Sequence, residues 1–283
     1  MLFRWGWFAG RAEGFGRNSI MMRALWSAAS GMKGQQTNMD VISNNIANVN
    51  TYGGKKVRAE FQDLIYQNLR EAGAASGADS QYPTGLQVGL GTRVSATNRI
   101  FSQGALQTTD NPTDIGIQGE GFFRITMPDG TTAYTRDGSF KLDSDRRLVT
   151  TDGYPLADNI TIDETAPSDS IVISGDGRVS CTPAGGDQQE VGQITLARFV
   201  NPSGLTAIGK NLFVVSQASG DAIEGNPGTD GAGTLTQSTL EMSSVQIVDE
   251  MVNMIVSQRA YESNSKAITT SDSMLEIANG LKR

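Results

Sequence analysis

The sequence predicts an α+β protein: a long helix near each end, the two pairing as a coiled coil, with a central β-rich domain and an extended connector. Three observations predict it. Apolar residues recur in alternating steps of three and four after Leu25 and again after Leu240. Asp-Gly dipeptides punctuate short β-prone runs in the middle of the chain. An Ala/Gly/Ser-rich tract, "QNLREAGAASGADSQYPTGLQVGLG", separates the first helix from those runs.

The first stretch, "MLFRWGWFAGRAEGFGRNSIM", is a poor signal peptide. Its apolar part is short, Arg4 and glycines interrupt it, and it lacks a small-residue cleavage site. Residues 1–21 are read as an extension: either a misassigned start, with Met21 or Met22 as the first residue, or a flexible arm with aromatic anchors. The N-terminal helix then covers residues 22–52. Its seam is Leu25, Ala28, Met32, Gln35, Met39, Ile42, Ile46 and Val49. Ala28 and Gln35 weaken this seam, and a helix about 36 Å long is marginal by itself.

The stretch "SNNIANVNTYGGKKVRAEF", Ser43 to Phe61, ends that helix. Asn48, Asn50, Gly53 and Gly54 tolerate the left-handed backbone that closes a helix C-terminus, so they read as stop and hinge. Lys55 and Lys56 follow, where the helix dipole is negative. Residues 53–94 are expected to form the connector, and residues 95–235 the β-rich domain. There Asp129-Gly130, Asp137-Gly138, Asp152-Gly153 and Asp176-Gly177 mark hairpins. "QITLARF" and "NLFVVS" read as further strands.

Residues 236–283 are assigned to the C-terminal helix. Ser238 with Glu241, and Ser243 with Gln246, each have capping-box spacing. The seam runs through Leu240, Ser244, Ile247, Met251, Met254, Gln258, Tyr261, Ser265, Ile268, Asp272 and Leu275. A second stripe, Val245, Val248, Val252, Ile255, Arg259 and Glu262, lies beside it. Two stripes are more apolar surface than one partner helix covers, so the helix is expected to meet other subunits as well. Asn279-Gly280 ends it, and Lys282 and Arg283 suit its C-terminal dipole.

Several chemistries are excluded. Histidine is absent, which removes Ser-His-Asp triads and histidine metal sites. The lone Cys181 reads as a small buried hydrophobe. The net charge of −7 leaves no basic stripe for nucleic acid, and no apolar run is long enough for membrane insertion as a helix. Ser30 and Lys33 have S-x-x-K spacing, but the companion S-D-N and K-T-G elements are missing. "GIQGEGFF" lacks dinucleotide-fold spacing and reads as tight β turns. Asp143 and Asp145 lack the remaining ligands of a calcium loop. No enzyme activity, cofactor or metal is expected.

Three segments carry a resemblance: "MRALWSAASGMKGQQTNMDVISNNIANVNTYGGKKVRAEFQDL", "FSQGALQTTDNPTDIGIQGEGFFRI" and "SSVQIVDEMVNMIVSQRAYESNSKAITTSDSMLEIANGL". The chain resembles the bacterial flagellar rod and hook family from about Met22 onward. Where that family carries an aromatic residue after Asn-Thr-x-Gly, this chain has Gly54. The resemblance implies a helical homopolymer around a central channel, with the terminal helices innermost and the β-rich domain outside. It also implies export through the flagellar type III export apparatus. The implied neighbours are proximal rod proteins, the hook protein, and the P-ring and L-ring proteins around a rod that spans the periplasm. The long connector points to the distal rod, with a proximal rod or hook subunit as the alternative. On either, the assembly interface is expected to use Leu25, Met32, Met39, Ile42, Ile46, Val49, Ile247, Val248, Met251, Val252, Met254, Ile255, Tyr261, Ile268 and Leu275.

Overall fold

A computed structural model describes residues 12–74, 81–158, 160–163, 167, 170–183 and 187–280, with side chains in the first helix described from residue 22. Helices flank a β-rich middle. Helix α1 runs Ala12–Ala47 and helix α2 runs Ile247–Gly280. Contacts divide the chain into two units. One comprises residues 1–44, 58–98 and 248–283; the other comprises residues 45–57 and 99–247.

In the first unit, α1 begins at Ala12, ten residues before the expected start at residue 22, since no proline interrupts Ala12–Ala47. Residues 1–11 of the expected extension lie outside the described residues, as do Lys282 and Arg283. The two helices approach at small and polar residues. A Cβ on Gly31 would lie 2.8 Å from Asn264 Nδ2, and Asn38 Nδ2 donates to Ser257 Oγ at 2.8 Å. Gly31 and Asn38 are seven residues apart, as are Asn264 and Ser257 in the reverse direction, so the helices run antiparallel. The covered faces accordingly follow Ala28, Gly31, Gln35, Asn38 and Ile42 on α1, and Glu250, Met254, Ser257, Asn264 and Ile268 on α2.

The expected connector is built of two antiparallel ribbons. Val57–Asp63 pairs with Thr92–Arg99, and Tyr66–Arg70 pairs with Leu86–Gly89, where Tyr66 faces Gly89. Residues 75–80 of the connector lie outside the described residues. Most ribbon positions are exposed, so the segment lacks the apolar–polar alternation that marks a half-buried strand. Gly34 of α1 admits the Phe61 ring, which lies 3.2 Å from where a Cβ would stand.

The second unit is organised by a six-stranded antiparallel sheet. Its order is Thr206–Gly209, Leu212–Val214, Thr132–Thr135, Phe122–Thr126, Leu196–Arg198 and Ile223–Gly225. Successive residues on four of these strands enter different cores. Phe123, Ala133, Leu196 and Leu212 enter one; Phe122, Tyr134, Ala197 and Phe213 enter the other. The period of two therefore buries both sheet faces. Aromatic rings in these cores meet edge to face: Tyr134 against Phe199 at 4.9 Å, and Phe123 against Phe140 at 5.1 Å. Cys181 is buried in the first core as a free thiol.

The turn signals have mixed outcomes. Gly130, Gly153 and Gly177 take positive φ at strand reversals, as their dipeptides predict. Asp137-Gly138 does not make a hairpin. Asp137 accepts bonds from the Ser139 backbone and hydroxyl, and a Cβ on Gly138 would lie 1.7 Å from Ile115 O. That glycine serves close strand approach. A two-residue turn absent from the expectations, Lys210-Asn211 with φ of 55° and 58°, closes the hairpin at the sheet edge. Ser238 caps no helix; with φ of 53° it links strand Thr234–Gln237 to Thr239–Glu241, and Leu240 is buried there.

Candidate assembly surface

Along α2, Val248, Met251, Val252 and Ile255 are exposed by 72%, 56%, 53% and 56%. Their spacing of three and four residues puts them on one face of about two turns. Ile247, Val256 and Tyr261 add to the exposed apolar surface. Asp249 and Glu250 occupy the first turn, where the helix dipole is positive. The remaining expected interface residues lie differently. Met254, Ile268 and Leu275 are half-buried, as are Leu25, Met32, Met39, Ile46 and Val49, and Ile42 is buried. Exposure thus splits the expected set into an outward stripe on α2 and residues already engaged within the chain.

The helix-stop stretch proves to be an anchor. After Ala47, the Asn48 carbonyl accepts from Thr51 N at 3.2 Å, and the Thr51 carbonyl accepts from Gly54 N at 3.1 Å. Asn48 Oδ1 accepts from the Thr51 hydroxyl, and Asn50 lies exposed in the turn. Gly53 has φ of 65°, and a Cβ there would stand 2.7 Å from the Arg136 carbonyl carbon. Asn45 completes the loop. Its amide donates to Val57 O at 2.8 Å and accepts from Val57 N at 3.0 Å, standing in for a strand partner.

Lys55 is not a solvated cation near the α1 dipole. Its Nζ donates to Glu241 Oε1 at 2.6 Å and to Ser102 O at 2.9 Å. Arg136 Nε lies 2.9 Å from Glu241 Oε2, and its other nitrogens bond the Gly119 and Gly121 carbonyls. Side-chain exposure is 0% for Lys55, 1% for Glu241 and 5% for Arg136. Two cations therefore share one carboxylate in the interior. Burial first, then the Arg136 charge, lower the Lys55 pKa below 10.5; attraction to Glu241 opposes them without prevailing. Burial likewise lowers Arg136, against the pull of Glu241.

This network was missed in the sequence because each member carries a stronger local signal. Lys55 follows a helix stop, Glu241 has capping-box spacing, and Arg136 precedes Asp-Gly. Ser30, of the S-x-x-K pair, donates its hydroxyl to Ser27 O and accepts from Thr92 N. Among the described residues, no cluster of three or more Cys, Asp or Glu has metal-site geometry, and no helix is long and apolar enough to cross a membrane.

Comparison with known proteins places this architecture. Residues 25–55 match the family "Flagella basal body rod protein", residues 116–181 match "Flagellar hook protein FlgE/F/G D1 domain", and residues 236–281 match "Flagellar basal body rod FlgEFG protein C-terminal". The chain is 56% identical over 264 residues to the flagellar basal-body rod protein FlgG of Borreliella burgdorferi, covering 93% of this chain and 100% of that protein. It is 49% identical over 263 residues to FlgG of Caulobacter vibrioides, covering 92% and 100%. The FlgG of Bacillus subtilis is 46% identical over 266 residues, covering 93% and 100%. A flagellar hook protein, FlgE of Helicobacter mustelae, is 47% identical over 135 residues, only 30% of its length. With this identity along nearly the whole chain, the protein belongs to the flagellar rod and hook family, among the structural subunits of the basal-body distal rod.

Proposed function

We propose that the chain polymerises through its terminal helices and carries torque as part of the distal rod. The observation that carries this is the exposed apolar stripe Val248, Met251, Val252 and Ile255. Four such side chains in a row along a helix are costly to leave in water and are covered on assembly. The contact faces of α1 and α2 form a short coiled coil whose polar residues fix register rather than add stability. Leu25, Met32, Met39, Ile42, Ile46, Val49, Met254, Ile268 and Leu275 hold that pair together. The stripe, with Ile247 and Tyr261, meets the next subunit. Asn48, Asn50, Gly53 and Gly54 hand the helix over to the connector.

The partners follow from the family: further copies of the chain, proximal rod proteins below, the hook protein above, and the P-ring and L-ring proteins around the rod. Delivery uses the flagellar type III export apparatus. The near-complete coverage of rod relatives, against 30% of a hook relative, favours a rod subunit over a hook subunit.

The test uses the single native cysteine, which is buried. In Val252→Cys, the new thiol is expected to react readily with a maleimide in the soluble chain and to be protected in isolated basal bodies. Equal reactivity in both states would show that the stripe stays exposed in the rod and would overturn this reading.

A further inference from the structure

The chain passes between its two units four times, at residues 44/45, 57/58, 98/99 and 247/248. Within the second unit, all four passages are tied to one another. Asn45 holds Val57 through two bonds. Ile100 N donates to Lys56 O at 2.8 Å. Lys56 N donates to Ser244 Oγ, and Ser244 N donates to Gly54 O.

These ties surround the buried charges. Gly53 N donates to Glu241 O, Gly104 N donates to Glu241 Oε1 at 2.8 Å, and Lys55 Nζ reaches Ser102 O. Gly104 is required there, since a Cβ would lie 2.0 Å from Met242 O. The passages at 57/58, 98/99 and 247/248 thus lie within a few residues of Lys55, of its partner Ser102 or of Glu241, and the passage at 44/45 joins them through Val57. The three charged residues also come one from each family-matched segment, 25–55, 116–181 and 236–281.

We propose that Lys55, Glu241 and Arg136 form a buried collar inside the β unit that clamps to one another the four chain segments entering it. Force arriving along the helices enters the sheet there: Arg136 follows strand Thr132–Thr135 directly, at the centre of the six-stranded sheet. A buried ion network suits this role. Its members are costly to separate, because opening strands uncompensated charge in the interior, so the joint is stiff even where it adds little net stability. The force path rests on the rod reading above; the clamp itself does not.

Amide hydrogen exchange on the full soluble chain tests the clamp. In Glu241→Gln and in Lys55→Met, exchange at Gly53, Lys56, Gly104 and Ser244 is expected to quicken at least tenfold. The amides of strand Phe122–Thr126 should be unaffected. No change at the four amides, or the same acceleration in both places, would overturn the proposal. Should a variant fail to fold, the wild-type chain in low urea decides: the four amides must open together, with one common urea dependence, and independent opening refutes the collar. A failed maleimide test on the rod would leave this result standing and remove only the force path.

Discussion

Replacing Val252 and Ile255 together by serine isolates the energetic role of the exposed stripe. Burying a Val or Ile side chain fully is worth about 1.5–3 kcal/mol. These two already keep 53% and 56% of their surface exposed, so covering the remainder on assembly is worth about half that each. The double variant should therefore weaken each subunit contact by about 1.5–3 kcal/mol, roughly a 12- to 150-fold rise in the concentration needed for assembly. The free chain should barely notice. Valine, isoleucine and serine have similar helix propensities, and neither side chain is buried in the monomer. Sedimentation over a concentration series measures the first quantity, and urea unfolding the second. An unchanged assembly threshold would refute the energetic reasoning. So would a loss of monomer stability matching the assembly loss, because the residues would then be holding the chain's own fold.

Gly138→Ala should cost the β unit about 3 kcal/mol, measured by urea unfolding. Its Cβ would lie 1.7 Å from Ile115 O, and Ile115 is fully buried and accepts no easy shift; a cost below about 1 kcal/mol would show that the strand yields. Lys55 supplies a pH test. Because burial and Arg136 lower its pKa, the folded chain sheds this proton at lower pH than the unfolded chain, whose lysine keeps the ordinary value near 10.5. Between those two pKa values the unfolded chain holds more protons, so this group makes stability rise with pH. In Lys55→Met, which leaves Glu241 facing Arg136, that component of the slope just below pH 10.5 should vanish. An identical slope in both proteins would place Lys55 in water.

Local chemistry was legible in the sequence. Heptad spacing found both helices, and Asp-Gly signals found the turns at Gly130, Gly153 and Gly177, because each depends on residues within a few positions of one another. The absence of histidine and the three signature segments pointed to assembly instead of catalysis. Which face of each helix is covered was not legible. Apolar periodicity ranked Met251 with Met254, yet the first is exposed and the second half-buried, because Gly31, Asn38, Ser257 and Asn264 bring the helices together and carry no hydrophobic signal. The connector ribbons escaped notice because neither ribbon buries a full face. Gly138 looked like a turn residue until strand packing showed what its missing side chain makes room for. The charged collar lay furthest from view. Lys55, Arg136 and Glu241 are separated by 81 and 105 residues of chain, and each sits in a different local signal: a helix stop, an Asp-Gly dipeptide and a capping-box spacing. Only folding brings two cations and one carboxylate together out of water, and their burial, rather than their identity, is what makes them a joint.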